Sequence, residues 1–241
     1  MALSTDYSLL VIVPARAGSK GIPNKNIKIL GGIPLIEWTF KVITQAKLAK
    51  GAIISSNLIQ AIDIARNYGI RAPFIRPEEL SGDSVTMNQV IRHSLENEML
   101  LGNKYTHFMI LQPTCPFRSE QDLLKSIEIS KFHPKATIIS VCEATRYGDS
   151  FMYKSIDKTM DLRLVSKMNN RNDGTLRQNL STEWWRNGSI YIVNVDLFMK
   201  NHSMYEDEIY GYEMPWDRSV NIDEDYDWKM AEEFARKHSR K

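Results

Sequence analysis

Leu9-Leu10-Val11-Ile12-Val13, running into Pro14-Ala15-Arg16-Ala17-Gly18-Ser19-Lys20-Gly21-Ile22-Pro23-Asn24-Lys25-Asn26, decides how this chain is read. Five apolar residues in a row predict a buried parallel strand. A strand that ends in a glycine- and cation-rich turn before a helix can build a phosphate cradle. Gly18 and Gly21 let the backbone fold tightly and aim N–H groups at an anion, while Arg16, Lys20 and Lys25 concentrate positive charge there. The spacing is neither the dinucleotide pattern G-x-G-x-x-G nor a Walker loop. An arbitrary loop of this composition is more often a solvated basic turn. Two prolines and the second glycine pair, Gly31-Gly32, shift the reading toward a built site.

Outward from that loop, strand and helix patterns alternate. Pro34 suits a first helical position, with Ile36, Phe40 and Ile43 repeating on one face. Ala52 to Ser56 is a second short strand, and Leu58, Ile62 and Ala65 mark a helix that Gly69 ends. A helix over about 85 to 101 follows, then a strand from Thr106 to Gln112, a helix from Glu120 to Lys131 and a strand from Ala136 to Val141. This order predicts an α/β fold: a Rossmann-like, mostly parallel sheet with helices on both faces. Ligands in such sheets bind beyond the carboxyl ends of the strands, where the opening loop sits.

The rhythm breaks between Glu143 and Trp185, a polar stretch too long for a plain loop in a compact domain. Residues 143–185 are read as an inserted hairpin-like arm, for self-association or for covering the site, within a single domain spanning 1–241. Order returns with a strand from Gly188 to Val195, and the chain closes on a helix from Asp225 to Lys237.

Composition narrows the function classes. The 241 residues carry 31 Lys+Arg against 29 Asp+Glu, a net charge of +2 that is too small for a nucleic-acid footprint. Two cysteines, Cys115 and Cys142, show no metal-ligand spacing and fit a reducing compartment. Met1 to Ser8 lacks a secretion-signal pattern, and no apolar window approaches the roughly 18 residues of a membrane span. A cytoplasmic protein without membrane insertion is expected. Cys115 has no histidine close in sequence, so it reads as a buried filler rather than a nucleophile.

Two further stretches complete the pattern: Leu111-Gln112-Pro113-Thr114-Cys115-Pro116-Phe117-Arg118 and Asn187-Gly188-Ser189-Ile190-Tyr191-Ile192. Together with the opening loop, they resemble the acylneuraminate cytidylyltransferase family: CMP-sialic acid synthetases and bacterial relatives acting on legionaminic and pseudaminic acids. The resemblance runs in family order from about Leu10 to Phe234. It implies that the anomeric hydroxyl of a nine-carbon keto sugar acid attacks the α-phosphate of CTP. Pyrophosphate leaves, magnesium assists, and the enzyme is a homodimer.

By the same resemblance Arg16, Ser19, Lys25 and Asn26 bind the nucleotide, with Arg16 and Lys25 on the phosphates. Arg76 contacts the cytosine, which its guanidinium can reach through the O2/N3 edge, and Asp83 contacts the ribose. Gln112 lies beside the sugar. Arg177 is the first candidate for the sugar's carboxylate, because an arginine fork pairs with one bidentately; Arg186 and Asn187 are further sugar contacts. Gly31-Gly32 reads as a tight turn rather than a ligand contact.

One departure stands out. The family's D-x-D metal stretch here reads Asn221-Ile222-Asp223, so Asp223 keeps a magnesium carboxylate and Asn221 offers an amide. Magnesium often uses only one or two carboxylates plus phosphates. Residues 223–227 also read as an acidic helix start. The substitution leaves open a non-catalytic nucleotide-binding relative. A separate alternative within the same reaction class is transfer to an eight-carbon keto acid, which the Arg177-Gln178 and Asn187-Gly188 stretches disfavour.

Overall fold

The computed structural model describes residues 7–18, 21–144, 153–155, 162–164, 182–205 and 208–238. Strand β1 (Leu9–Pro14) is followed by the small hairpin β2 (Ile29–Leu30) and β3 (Ile33–Pro34), then helix α1 (Leu35–Gln45). Next come β4 (Ala52–Ser55), α2 (Ile59–Asn67), α3 (Met87–Leu100), β5 (His107–Ile110), α4 (Glu120–Phe132) and β6 (Thr137–Glu143). The short strands β7 (Tyr153–Ser155) and β8 (Leu162–Leu164) pair antiparallel. The chain continues through β9 (Trp184–Asn194), α5 (Val195–Asn201), β10 (Ile209–Glu213) and α6 (Asp225–His238). Among the described residues no helix is long and apolar enough to cross a membrane.

Six strands form one sheet in the order β10-β6-β9-β5-β1-β4. All adjacent pairs are parallel except those of β9, which runs antiparallel to both β5 and β6. The period of two along each strand then sorts side chains between two layers. Val11, Val13, Ala52, Ile54, Met109, Ile190 and Ile192 face α1, α2 and α4. Leu10, Ile12, Ile53, Phe108, Ile110 and Val193 face α3 and α5. A third apolar cluster joins Ile22, Leu30, Leu35 and Phe117 to Ile222, Trp228 and Ala231, docking α6 against the opening loop.

Several expectations shift by local physics. Pro34 caps α1 from outside rather than occupying its first turn. Gly31 and Gly32, at φ 59° and 92°, form the two-residue turn of the β2–β3 hairpin, where both central positions need positive φ. Strand β9 begins at Trp184, four residues before the expected Gly188, because it carries a bulge. Ile139 pairs with Tyr191 and Val141 with Arg186, so two steps along β6 match five along β9.

Since β4 and β5 flank β1 on opposite sides, a crevice opens at the carboxyl end of β1. The C-terminal segment reaches that crevice because it is tied back to α4. Asp122 is fully buried, and it accepts hydrogen bonds from Arg218 Nε and Nη2 at 2.9 Å each, from Tyr212 Oη at 2.9 Å and from Ser119 N at 2.7 Å. Burial opposes ionisation of this carboxyl, but the bonds from Arg218, Ser119 and Tyr212 outweigh it and hold the group below its ordinary value. With a depressed native pKa, this contribution is complete above the unfolded value near about 4 and is lost as pH falls through the native one. Removing one partner of a buried pair costs roughly 3 kcal/mol or more. Asp122→Asn should therefore lower the urea midpoint at pH 7 by an amount that shrinks below about pH 4, measured by equilibrium unfolding across pH.

Candidate active site

A cavity of about 380 Å³ opens at the carboxyl ends of β1, β4 and β5. It is lined by the opening loop through Arg16, Gly21, Lys25 and Asn26, by Arg76, by the turn Gln112 to Thr114, and by Asp223 and Glu224. Leu80, Val85, Met87 and Val90 supply an apolar wall. The Thr86–Gln89 capping box starts α3 and thereby fixes Met87 and Val90 toward the cavity.

The opening loop is held from several sides. Gly18 takes φ 69° and Asn24 φ 51°, left-handed conformations that turn the chain back on itself. Ala17 N–H donates to Asn57 Oδ1 at 2.8 Å, and Asn26 Nδ2 donates to the Arg16 carbonyl at 2.9 Å. A Cβ on Gly21 would lie 2.2 Å from the Asp223 carbonyl oxygen, so only glycine lets the loop abut the C-terminal segment. Across the same contact Lys25 Nζ donates to the Ile222 carbonyl at 2.7 Å and pairs with Asp223 Oδ1 at 3.3 Å. Lys25 is only 8% exposed, whereas the Asp223 side chain is 63% exposed and faces the cavity.

Arg76 is buried at the cavity floor, with its Nε donating to Ser55 Oγ at 3.1 Å and one terminal nitrogen to the Ser55 carbonyl. Burial, together with the nearby charge of Arg16, pulls its pKa down to about 10, so it stays protonated at neutral pH. Among the described residues it meets no carboxylate, which leaves its charge for a ligand. Arg118 lies beneath the same floor, donating to the Gln112 carbonyl and to Thr39 Oγ1 at 3.3 Å. Burial pulls it down to about 10 as well, against the opposing pull of Cys115 and Asp122. It thus supports the turn that presents Gln112.

Of the residues singled out in the sequence, Arg16, Lys25, Asn26, Arg76, Gln112 and Asp223 therefore converge on one cavity. Ser19 and Arg177 lie outside the described residues. Asp83 is turned toward Arg16, not into the cavity, with its Oδ1 2.7 Å from Arg16 Nη2. Arg186 is exposed, its guanidinium 4.8 Å from the centre of the Tyr205 ring. Asn187 is buried and spans the β9 bulge: its Oδ1 accepts from Ser140 Oγ at 2.6 Å and from Ser189 N at 3.1 Å, and its Nδ2 donates to Ser219 Oγ at 2.8 Å. Its amide is consumed by the protein, so the expected sugar contact becomes a brace.

Asn221 also differs from expectation. Its Oδ1 accepts from the Cys115 thiol at 3.4 Å and its Nδ2 donates to Asp223 Oδ2 at 2.6 Å. The amide oxygen is turned inward, so Asn221 steadies the carboxylate and does not present a cation ligand. Cys115 is itself buried, and burial pushes its thiol up, away from the thiolate a nucleophile needs. Among the described residues no group of three or more His, Cys, Asp or Glu could hold a metal ion.

The sequence reading missed the apolar wall, whose residues look like ordinary helix and loop positions, and it missed Glu224 beside Asp223. Asp227 explains the local fold there: its Oδ2 accepts from the backbone N–H of Asp223 at 2.9 Å and of Glu224 at 2.8 Å. The acidic helix start and the cavity carboxylates are one structure.

A cradle of this kind, with cations facing a carboxylate at the mouth of a parallel sheet, suits a nucleotide phosphate chain and its counter-ion. The cytidylyltransferase family profile matches residues 10–238. The chain belongs to that family. It is a nucleotidyltransferase, and its relatives agree. It is 29% identical over 227 residues to the CMP-N,N'-diacetyllegionaminic acid synthase of Legionella pneumophila, covering 94% of this chain and 95% of that protein. It is 28% identical over 238 residues to the N-acylneuraminate cytidylyltransferase of Escherichia coli O18:K1:H7, covering 96% of this chain but only 53% of that longer protein. In fold it resembles a CMP:2-keto-3-deoxy-manno-octonic acid synthetase solved with CTP, at TM-score 0.67 and 12% identity, with 96% of this chain and 99% of that one covered.

Proposed function

We propose that this cytidylyltransferase moves CMP from CTP to the anomeric hydroxyl of a nonulosonic, sialic-type acid in the cytoplasm, releasing pyrophosphate. One observation carries the reading. Arg16, Lys25 and Arg76 converge on a cavity beyond the parallel strands of a chain whose near full-length relative is a CMP-N,N'-diacetyllegionaminic acid synthase.

The sugar oxygen forms the new bond to the α-phosphorus, the bond to the β-phosphate oxygen breaks, and the sugar hydroxyl loses its proton. Charge grows on the departing pyrophosphate. Arg16 and Lys25, with the loop's backbone N–H groups, are fixed donors where that charge develops, and such preorganised donors lower the barrier most. Each charge-assisted hydrogen bond is worth roughly 1.5–3 kcal/mol. Asn26 braces the loop from within. Arg76 and the wall of Leu80, Val85, Met87 and Val90 form the seat for the cytosine, with the guanidinium donating to the base edge. Gln112 stands at the sugar side. Arg177, with Arg186 as a second candidate, takes the sugar's carboxylate in this reading.

The donor set suits magnesium. The exposed carboxylate of Asp223, with Glu224 beside it, next to a triphosphate site matches a cation that prefers octahedral oxygen, uses one or two carboxylates and completes its shell with phosphates and water. Bound there, magnesium would neutralise phosphate charge. Asn221, through its hydrogen bond to Asp223 Oδ2, keeps that carboxylate aimed at the cavity.

We also propose a homodimer built through residues 143–185. Strand β6 ends at Glu143 opposite Trp184, and Ala144 N–H donates to the Glu183 carbonyl at 2.8 Å. The intervening residues thus leave and rejoin the domain at one point. Trp184 and Trp185 stand there 47% and 42% exposed, large apolar surface suited to a partner. Light scattering at micromolar concentration should give twice the chain mass; a monomer would remove this assignment.

Pyrophosphate release with CTP and magnesium, screened over sialic, legionaminic, pseudaminic and eight-carbon keto acids, tests the reaction. Turnover is expected with a nine-carbon acid. Turnover confined to the eight-carbon acid would reassign the substrate. CTP binding by calorimetry with background release on every acid would make the chain a non-catalytic binder.

A further inference from the structure

Two of the three nitrogens of the Arg16 guanidinium are engaged by one short loop. Nη1 donates to the Ser81 carbonyl at 3.2 Å, and Nη2 pairs with Asp83 Oδ1 at 2.7 Å. Gly82, between those two acceptors, lines the cavity together with Val85, while the Asp83 carboxylate is aimed at the guanidinium. The cavity's cations therefore differ in kind. Lys25 is paired with Asp223 across one rim, Arg16 with Asp83 across another, and Arg76 meets no carboxylate among the described residues.

Two properties of the Arg16–Asp83 pair set it apart from the chain's structural ion pairs. It is open to water, with side chains 31% and 44% exposed, whereas Asp122 and Glu98 hold their arginines with carboxylates 0% and 1% exposed. A pair this open is weak and screened by salt. Its carboxylate is also single, and a phosphate chain with several charges competes for the same fork more strongly. A carboxylate fixed so near that chain would in turn repel it.

We propose that Asp83 is a positioning counter-ion that competes with the nucleotide's phosphates for Arg16. Binding of CTP exchanges the Arg16–Asp83 pair for Arg16–phosphate bonds, and departure of pyrophosphate restores it. Asp83 lowers the guanidinium's hold on the leaving product. Because Ser81 and Asp83 share the loop that carries Gly82 and Val85, the exchange also couples the phosphate end of the cavity to its apolar wall. This rests on the nucleotide reading of the cavity, and it replaces the ribose contact expected for Asp83 from the sequence.

The test compares the wild-type chain with Asp83→Asn, and with Asp83→Ala as a second variant, by calorimetry with CTP, by displacement of CTP with cytidine and inorganic pyrophosphate, and by steady-state turnover. Loss of the competing carboxylate should tighten CTP and pyrophosphate about three- to ten-fold. Cytidine, which has no phosphate, should bind unchanged. KM for CTP and kcat should fall together, because pyrophosphate leaves more slowly. Weaker binding of cytidine and CTP alike would restore the ribose contact and overturn the proposal; unchanged affinities for all three ligands would overturn it too. Failure of the wild-type chain to bind CTP at all would instead remove the nucleotide reading, and this inference with it.

Discussion

A buried ammonium joins the two ends of this chain into one site. Lys25 Nζ bonds the Ile222 carbonyl at 2.7 Å and the Asp223 carboxylate at 3.3 Å, across a sequence separation of 197 and 198 residues. An unpaired charge at that depth would cost several kcal/mol, roughly the penalty of burying an ion without a partner. The loop therefore gains by docking on the 221–224 segment, and Gly21 permits the approach by having no Cβ to place against the Asp223 carbonyl. Everything the cavity offers a phosphate depends on this contact, since it sets where Arg16, Lys25 and Asp223 stand relative to one another.

The C-terminal side of that contact is itself a braced segment. Arg218 is bonded by both Nε and Nη2 to the buried Asp122 of α4. One residue later Ser219 accepts from Asn187, whose own oxygen accepts from Ser140 of β6. Then Asn221, held by the Cys115 thiol, donates to Asp223, and Asp227 caps the backbone of Asp223 and Glu224. Every link but the exposed Asn221–Asp223 bond is a buried or half-buried polar contact, the condition under which such networks fix one geometry. Besides Lys25, the site's carboxylate is positioned by residues that do not line the cavity, Asn221 and Asp227 among them.

How far the sequence carried depended on the range of the physics involved. The alternation of strands and helices was legible because hydrophobic period is a local signal; β1, β4, β5 and α4 lie where the pattern puts them. Convergence of Arg16, Lys25, Asn26, Arg76 and Gln112 on one cavity follows from the rule that parallel strands deliver their ends to one edge. The direction of β9 was not legible, because a strand's polarity depends on partners distant in sequence. Nor was β10, whose Ile-Tyr-Gly-Tyr-Glu pattern is short and lies at the sheet's edge. Asn187, Asn221 and Asp83 had residue types suited to ligand contact, yet their polar atoms are taken up by protein groups, some two positions away and others 32 to 106 positions away or across the cavity rim. Only the folded chain decides that. Ser19 and Arg177 lie outside the described residues, and their roles rest on family resemblance.

Amide hydrogen exchange on Lys25→Met is the most direct test of the buried bridge. Methionine keeps most of the side chain's length and removes the charge. Exchange should accelerate at least about ten-fold in residues 21–26 and 219–224, while β1, β5 and β9 keep wild-type protection, as expected for a local opening that leaves the core intact. Unchanged protection of 219–224, or a uniform rise across the whole sheet, would contradict the claim that this one ammonium holds the site together.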